Sequence, residues 1–250
     1  EPWSAGRTGD PTAGQGEWFV QSARVDVAAW LSELQMNKGL QVQAQGPLRM
    51  WATQAQGRLT QADLDLNWAK LALQWPQRKQ ALQLSELQGR VSYRWRASER
   101  EHELHAEDLD FRLSPQLAWP KTPLTWRWSL HPNAELRSMR LQAGLLDVGV
   151  LTQLVQNLGT PNSADALWRR LGQLKPTGRL EALNLAWVWA TPEAPGQLSV
   201  QAQGRQLSWK ALKPRQAGDW ALPGVQGVDV QLNLQPQGGD LELTMSSGVV

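Results

Sequence analysis

Residues able to do acid–base or metal chemistry are few in this sequence and poorly spaced for it. It has three histidines. His102-Glu103-Leu104-His105 falls one residue short of the H-E-x-x-H spacing that puts two imidazoles on one helix face. On a strand, residues three apart point to opposite sides, so these two would not share a metal. They read as surface histidines near a turn, with Arg100-Glu101-His102-Glu103 as a solvated hairpin tip. His131 precedes Pro132 and reads as a loop residue. Asp63 and Asp65 would lie about 7 Å apart on one strand face, a separation that suits glycosidase carboxylates. Alternating Asp on the polar side of a strand is, however, the ordinary solvated pattern, and that is the expected reading. Gly224 and Gly227, and the pair Gly238-Gly239, have no following helix to bind phosphate and read as turns. No G-x-S-x-G, Walker or dinucleotide-binding sequence appears. The expectation is a chain that is not an enzyme, with no catalytic residue, no metal and no cofactor.

Composition narrows the remaining classes. The chain has 250 residues, a net charge of +2 and no Cys. Disulfides and thiolate metal sites within it are therefore excluded. Its basic residues are dispersed, unlike the clustered face that nucleic acid requires, so no nucleic-acid partner is expected. There is no run of about 18 apolar residues and no signal peptide. Glu1-Pro2 and Gly248-Val249-Val250 read as cut ends, which suggests a piece of something longer. Trp supplies 15 residues, against two Phe and one Tyr, and Ile is missing. A skewed base composition would explain the missing Ile and Tyr. It would not explain why Trp sits on strand faces.

Period-two alternation dominates the chain. In QADLDLNWAKLALQW, Leu64, Leu66 and Trp68 fall on even numbers, then Leu71, Leu73 and Trp75 on odd ones. Two short strands are expected, with Ala69-Lys70 a bulge or tight turn that resets parity. Val91, Tyr93 and Trp95 alternate with polar residues, as do Leu124, Trp126 and Trp128. So do Leu183, Leu185, Trp187 and Trp189, and later Val228, Val230, Leu232 and Leu234. Turns are expected at Gly57, Pro76, Gly89, Pro115, Pro120, Gly204, Pro236 and Gly238-Gly239. Roughly a dozen strands in an antiparallel meander result.

One interval is helical in period. Leu145, Val148, Leu151, Leu154, Val155 and Leu158 share half a helix wheel, and Gly159-Thr160-Pro161 stops it. Asn162 or Ser163 could cap a second helix, with Leu167, Trp168, Leu171 and Leu174 on one side. The expected organisation is a flexible stretch over 1–16, a sheet over 17–142, a helical pair over 143–175 and a sheet over 176–250 continuing the first.

What the apolar strand sides face decides the function. A sandwich would cover them with a second sheet, and an outer-membrane barrel would turn them to lipid between aromatic girdles. The helical interval and the shortage of Tyr argue against the barrel. Buried indoles each need a partner for N–H, which favours Trp at the rim of an open trough.

Residues across the chain carry a family resemblance. The run Leu171-Gly-Gln-Leu-Lys-Pro-Thr-Gly-Arg-Leu-Glu-Ala-Leu-Asn-Leu-Ala-Trp187 resembles the L-x-x-L-x-P-x-G-x-L-x-x-L-x-L-x-W signature of the YhdP family within the AsmA-like proteins. Leu222-Pro-Gly-Val-Gln-Gly227 and Gly238-Gly239 are similar to its P-G-x-x-G and G-G elements. GRLTQADLDLNWAKLALQW, with Leu84 to Trp95, resembles its paired strands. The resemblance runs from about Gly16 onward. It implies a mainly β fold, a long curled antiparallel sheet forming an apolar groove, with a short helical pair inserted. It implies a segment of a bridge-like lipid transfer protein, anchored in the inner membrane of Gram-negative bacteria and crossing the periplasm. Phospholipid is then the partner, carried toward the outer membrane, and the apolar alternating residues named above would be floor and wall. The alternatives are a Trp-lined β-sandwich binding carbohydrate or protein, and a scaffold whose groove is filled by its own helices.

Overall fold

The computed structural model describes residues 3–8, 14–23, 41–74, 81–133, 135–158, 172–191, 195–212 and 223–249. Its strands are β1 (Trp3–Thr8), β2 (Gly16–Ser22), β3 (Gln41–Gln45), β4 (Leu48–Ala55), β5 (Arg58–Gln74), β6 (Leu82–Arg96), β7 (Glu101–Ser114), β8 (Leu117–Leu130), β9 (Leu136–Asp147), β10 (Thr177–Val188), β11 (Gln197–Trp209), β12 (Val225–Gln235) and β13 (Gly238–Val249), with helix α1 (Val148–Leu158) between β9 and β10. The hydrogen-bonded order is β1-β2-β4-β5-β6-β7-β8-β9-β10-β11-β12-β13, with β3 beside β5. It is an open ladder of next-neighbour strands. Among the described residues there is no second sheet, so the sandwich expectation is set aside.

The chain divides into two compact units. One comprises Glu1–Arg140 with Val188–Pro195, and the other Leu141–Trp187 with Gly196–Val250. The helical interval therefore belongs with the later strands, and β9 contributes to both units.

Several strands are longer than the sequence suggests, because signals that resemble turns lie inside them. Gln61 to Gln74 is part of one 17-residue strand, not two. Parity does reset there. Trp68 and Leu71 are buried while Ala69 and Lys70 between them are both exposed. The partner strand resets at the same level: Leu84 and Leu87 are buried and Glu86 is exposed in the left-handed region, φ 54°. Gly89, Pro120 and Gly204 were expected to be turns but lie within β6, β8 and β11. Register shifts mark the same levels, between Ser85 and Arg90 in β6, Ala106 and Leu109 in β7, and Gly204 and Leu207 in β11. A bulge inserts one residue and lets both halves of a long strand keep their apolar side chains on one face.

Two further element boundaries differ from the sequence reading. Residues 3–8, placed in a flexible stretch, pair with β2 as an edge strand. Backbone hydrogen bonds at an edge form whatever the side chains, so glycines weaken such a strand without forbidding it. The helix begins at Val148, because Leu145 and Leu146 still belong to β9. Asp147 sets that start: its Oδ1 accepts a 2.9 Å bond from the Val150 N–H, an N-cap the periodicity overlooked. Asp147→Ala is expected to cost about 1 kcal/mol in a denaturation titration. The capping and apolar residues assigned to a second helix, from Asn162 to Leu171, lie outside the described residues, while Gly172–Leu174 are helical. Among the described residues no helix is long and apolar enough to cross a membrane.

Candidate functional site

Directly paired residues of neighbouring strands share a sheet face, so the register defines rows of side chains across the first unit. One row is Val20, Met50, Leu64, Val91, Ala106 and Leu124. The next is Trp18, Ala52, Ala62, Tyr93, Leu104 and Trp126, and a third holds Trp95, His102 and Trp128. Leu66 lies one level the other way, opposite Leu48 and Gly89. Sequence alternation named half of these residues. It missed Trp18, Met50 and Leu104, whose strands were not recognised as neighbours, and it missed His102.

The opposite face is a polar lattice. Ser92 and Gln61 donate to Asp63 at 2.7 and 2.9 Å, and Arg90 pairs with Asp65 at 2.8 Å. Partial burial pushes Asp63 up, but these hydrogen bonds with Arg94 and Arg90 outweigh it and hold the carboxyl below its usual value. A general acid needs the reverse shift. Glu103 receives Arg127 at 2.7 Å and Arg96 at 3.7 Å. In the second unit Arg205 reaches Asp229 at 3.1 Å and Glu181 at 3.5 Å. The Gln206 N–H and Arg205 hold Asp229 below the ordinary carboxylate range.

His105 lies on this polar face, against Thr125 at 2.9 Å. His102 lies on the apolar one, so the two do point to opposite sides, but His102 is not a surface residue of a hairpin tip. Its ring stacks on Trp128 at 5.0 Å and 7°, and its Nδ1 shares a 2.8 Å hydrogen bond with the Tyr93 hydroxyl. Burial lowers the imidazole pKa and raises that of the phenol, which favours the neutral form of both.

The apolar face differs on the two sides of the bulge line. Toward the β6–β7 turn, the small Ala52, Ala62 and Ala106 are buried between larger neighbours, whereas Leu64, Leu66, Val91, Tyr93, Trp95, Leu124 and Trp128 are half-buried and Trp126 is 42% exposed. Beyond the line the face is packed. Trp68, Leu71, Leu82, Leu84, Leu87, Phe111 and Trp119 are all buried, and Leu73 is half-buried. Trp68 and Leu71 are thus core here, although alternation grouped them with Leu64 and Leu66. The indole N–H groups of Trp68 and Trp119 have no hydrogen-bond partner among the described residues. At these two positions the indole is therefore core and not rim, despite the cost of an unpaired N–H. Trp75 lies outside the described residues.

In the second unit, Val228 and Leu183 are buried, Leu185, Val230 and Leu232 half-buried, and Trp187 and Leu234 each 36% exposed. Rows continue onto β13, where Leu241 and Leu243 face Leu232 and Val230 and are 61% and 58% exposed. Trp189, in the first unit, is half-buried and its backbone N–H bonds to the Arg137 carbonyl at 2.9 Å.

A family model described as YhdP protein matches residues 7–250. No curated protein and no solved structure matches the chain.

Proposed function

The chain belongs to the YhdP family, and on that premise we propose that it is a segment of a bridge-like conduit carrying phospholipid between the inner and outer membranes. Members of that family are envelope-associated lipid transfer proteins. On this reading the segment works in the periplasm, its inner-membrane anchor lies in a part of the protein outside these residues, and it performs no catalysis. Acyl chains lie on the apolar sheet face while the polar lattice meets water.

The observation that supports this is the half-exposed apolar face of the first unit, six strands wide at the level of Leu64 and open at Trp126. A covered face would bury the large side chains of these rows, as it does beyond the bulge line. The energetics favour sliding over release. At ~0.8 kcal/mol per CH₂, two acyl chains of about 30 methylenes would cost roughly 20–25 kcal/mol to expose fully. Moving along adjacent rows exposes little new surface at each step.

The test is lipid extraction and mass spectrometry of the purified chain. Phospholipid is expected to co-purify, and Leu64→Asp or Trp126→Asp to reduce it about tenfold or more, since a loss of 1.4 kcal/mol already gives that factor. Melting should fall by only a few degrees for Trp126→Asp, the shift that about 1 kcal/mol produces. A wild-type chain free of lipid, or variants that retain it fully, would sink the proposal.

A further inference from the structure

Polar groups also converge on the apolar face, at the β6–β7 end of the first unit. An open depression of about 1010 Å³ lies there, lined by Leu59, Tyr93, Trp95, His102 and Leu130 together with Arg58, Arg100 and His131. Most of this lining is apolar or aromatic. The Arg58 guanidinium sits 5.5 Å above the centre of the Trp95 ring, which directs it over the depression. Arg100, in the turn between β6 and β7, has φ 49° and is exposed, as is Arg58.

The charges here are arranged unlike those of the polar face. There Arg90, Arg96, Arg112 and Arg127 all meet carboxylates. Neither Arg58 nor Arg100 has a carboxylate partner among the described residues. His131 also lines the depression. His131 Nε2 is buried and has no hydrogen-bond partner among the described residues. Its backbone is fixed, the N–H bonding to the Glu135 carbonyl at 2.7 Å. Two guanidinium groups without carboxylate partners, set around an aromatic floor, suit an anion attached to an apolar body.

We propose that this depression holds the phosphate of a phospholipid headgroup, with Arg58 and Arg100 pairing its oxygens and the acyl chains leaving along Tyr93, Leu104 and Trp126. The assignment rests on the lipid-carrying reading above and adds a place where the headgroup is held. Arginine forks match phosphate oxygens in pairs, through charge-assisted hydrogen bonds. Neutral Tyr93 and His102 form the floor beneath the first methylenes.

The experiment is calorimetric titration of the full chain with three probes: dihexanoyl phosphatidylglycerol, dihexanoylglycerol without a headgroup, and inorganic phosphate. The test variant is Arg58→Gln/Arg100→Gln, whose exposed positions make folding insensitive to the change, with thermal melting as the check. Phosphatidylglycerol affinity is expected to fall about tenfold or more in the variant, two charge-assisted bonds being lost. Dihexanoylglycerol binding should be unchanged, and phosphate alone should bind weakly. Equal phosphatidylglycerol affinity in both proteins would overturn the headgroup site while leaving acyl binding standing. If inorganic phosphate binds as tightly as the lipid and is lost in the variant, the site is for free phosphate and the proposal falls. If the wild type binds no lipid at all, the underlying reading fails with it.

Discussion

Phe111→Ala is expected to lower the unfolding free energy of the first unit by about 3–5 kcal/mol, whereas Trp126→Ala, which removes a larger ring, should cost only about 1 kcal/mol. Both residues alternate with polar neighbours on strands of the same sheet, and sequence gives no reason to separate them. Phe111 is 6% exposed and stacks on buried Trp119 at 5.3 Å and 16°. Removing it leaves a cavity and deletes an aromatic pair. Trp126 is 42% exposed and leans on Trp128 at 4.9 Å, so a large part of its surface stays in water and its loss leaves no enclosed cavity. Denaturant titration of both variants measures the difference. Equal costs would mean that the face is packed uniformly along the strands, and the open end on which the lipid proposal depends would not exist.

This contrast also marks how far the sequence could be read. Alternation fixes which side of a strand is apolar, and Leu64, Tyr93 and Trp126 do line up in or beside shared rows. It cannot say whether that side is covered, because exposure depends on neighbours far along the chain. Trp68 shows this: it continues the even-numbered series of Leu64 and Leu66, yet it is core. His102 shows the converse. A histidine among Arg and Glu reads as solvated, but its partner across β6 is Trp95 and across β8 is Trp128, so the register carries it onto the apolar face. Pairing is a property of two segments, and one segment's residue types do not reveal it.

Turn signals misled for a related reason. Glycine and proline mark places where the backbone leaves ordinary strand geometry, and a bulge within a strand needs this as much as a turn between strands. Hence Gly89 and Gly204 punctuate the sequence where the fold only shifts register. Residues without such a signature do the same work elsewhere on the line: Glu86, Asp108, Ala182 and Gln206 all have φ between 49° and 54°. Nothing in their types announces it.

Gly89→Ala is accordingly expected to be far more damaging than Gly57→Ala, although both glycines have positive φ, 139° and 72°. A Cβ on Gly57 meets nothing within 4 Å, so only the backbone preference is lost, roughly 1 kcal/mol. A Cβ on Gly89 would stand 2.9 Å from the Leu109 Cα and 3.1 Å from the Asp108 and Glu107 carbonyl oxygens. Those atoms belong to the neighbouring strand's bulge and cannot rotate away, so β6 and β7 must separate or slip. The added cost is on the order of 3 kcal/mol, the scale of a strained backbone that its surroundings can no longer support. A slip would also carry Val91, Tyr93 and Trp95 toward the polar face, since one residue of shift exchanges the sides. Lipid retention should therefore fall together with stability in Gly89→Ala and stay at the wild-type level in Gly57→Ala. Denaturation and lipid extraction on the same two preparations test this. Gly178 provides an independent repetition, because its Cβ would meet the Gln206 and Arg205 carbonyl oxygens at 2.8 and 2.9 Å in the second unit. If Gly89→Ala and Gly178→Ala both melt within a few degrees of Gly57→Ala, roughly the shift that 1 kcal/mol produces, the bulges are incidental and do not set which side chains face the lipid.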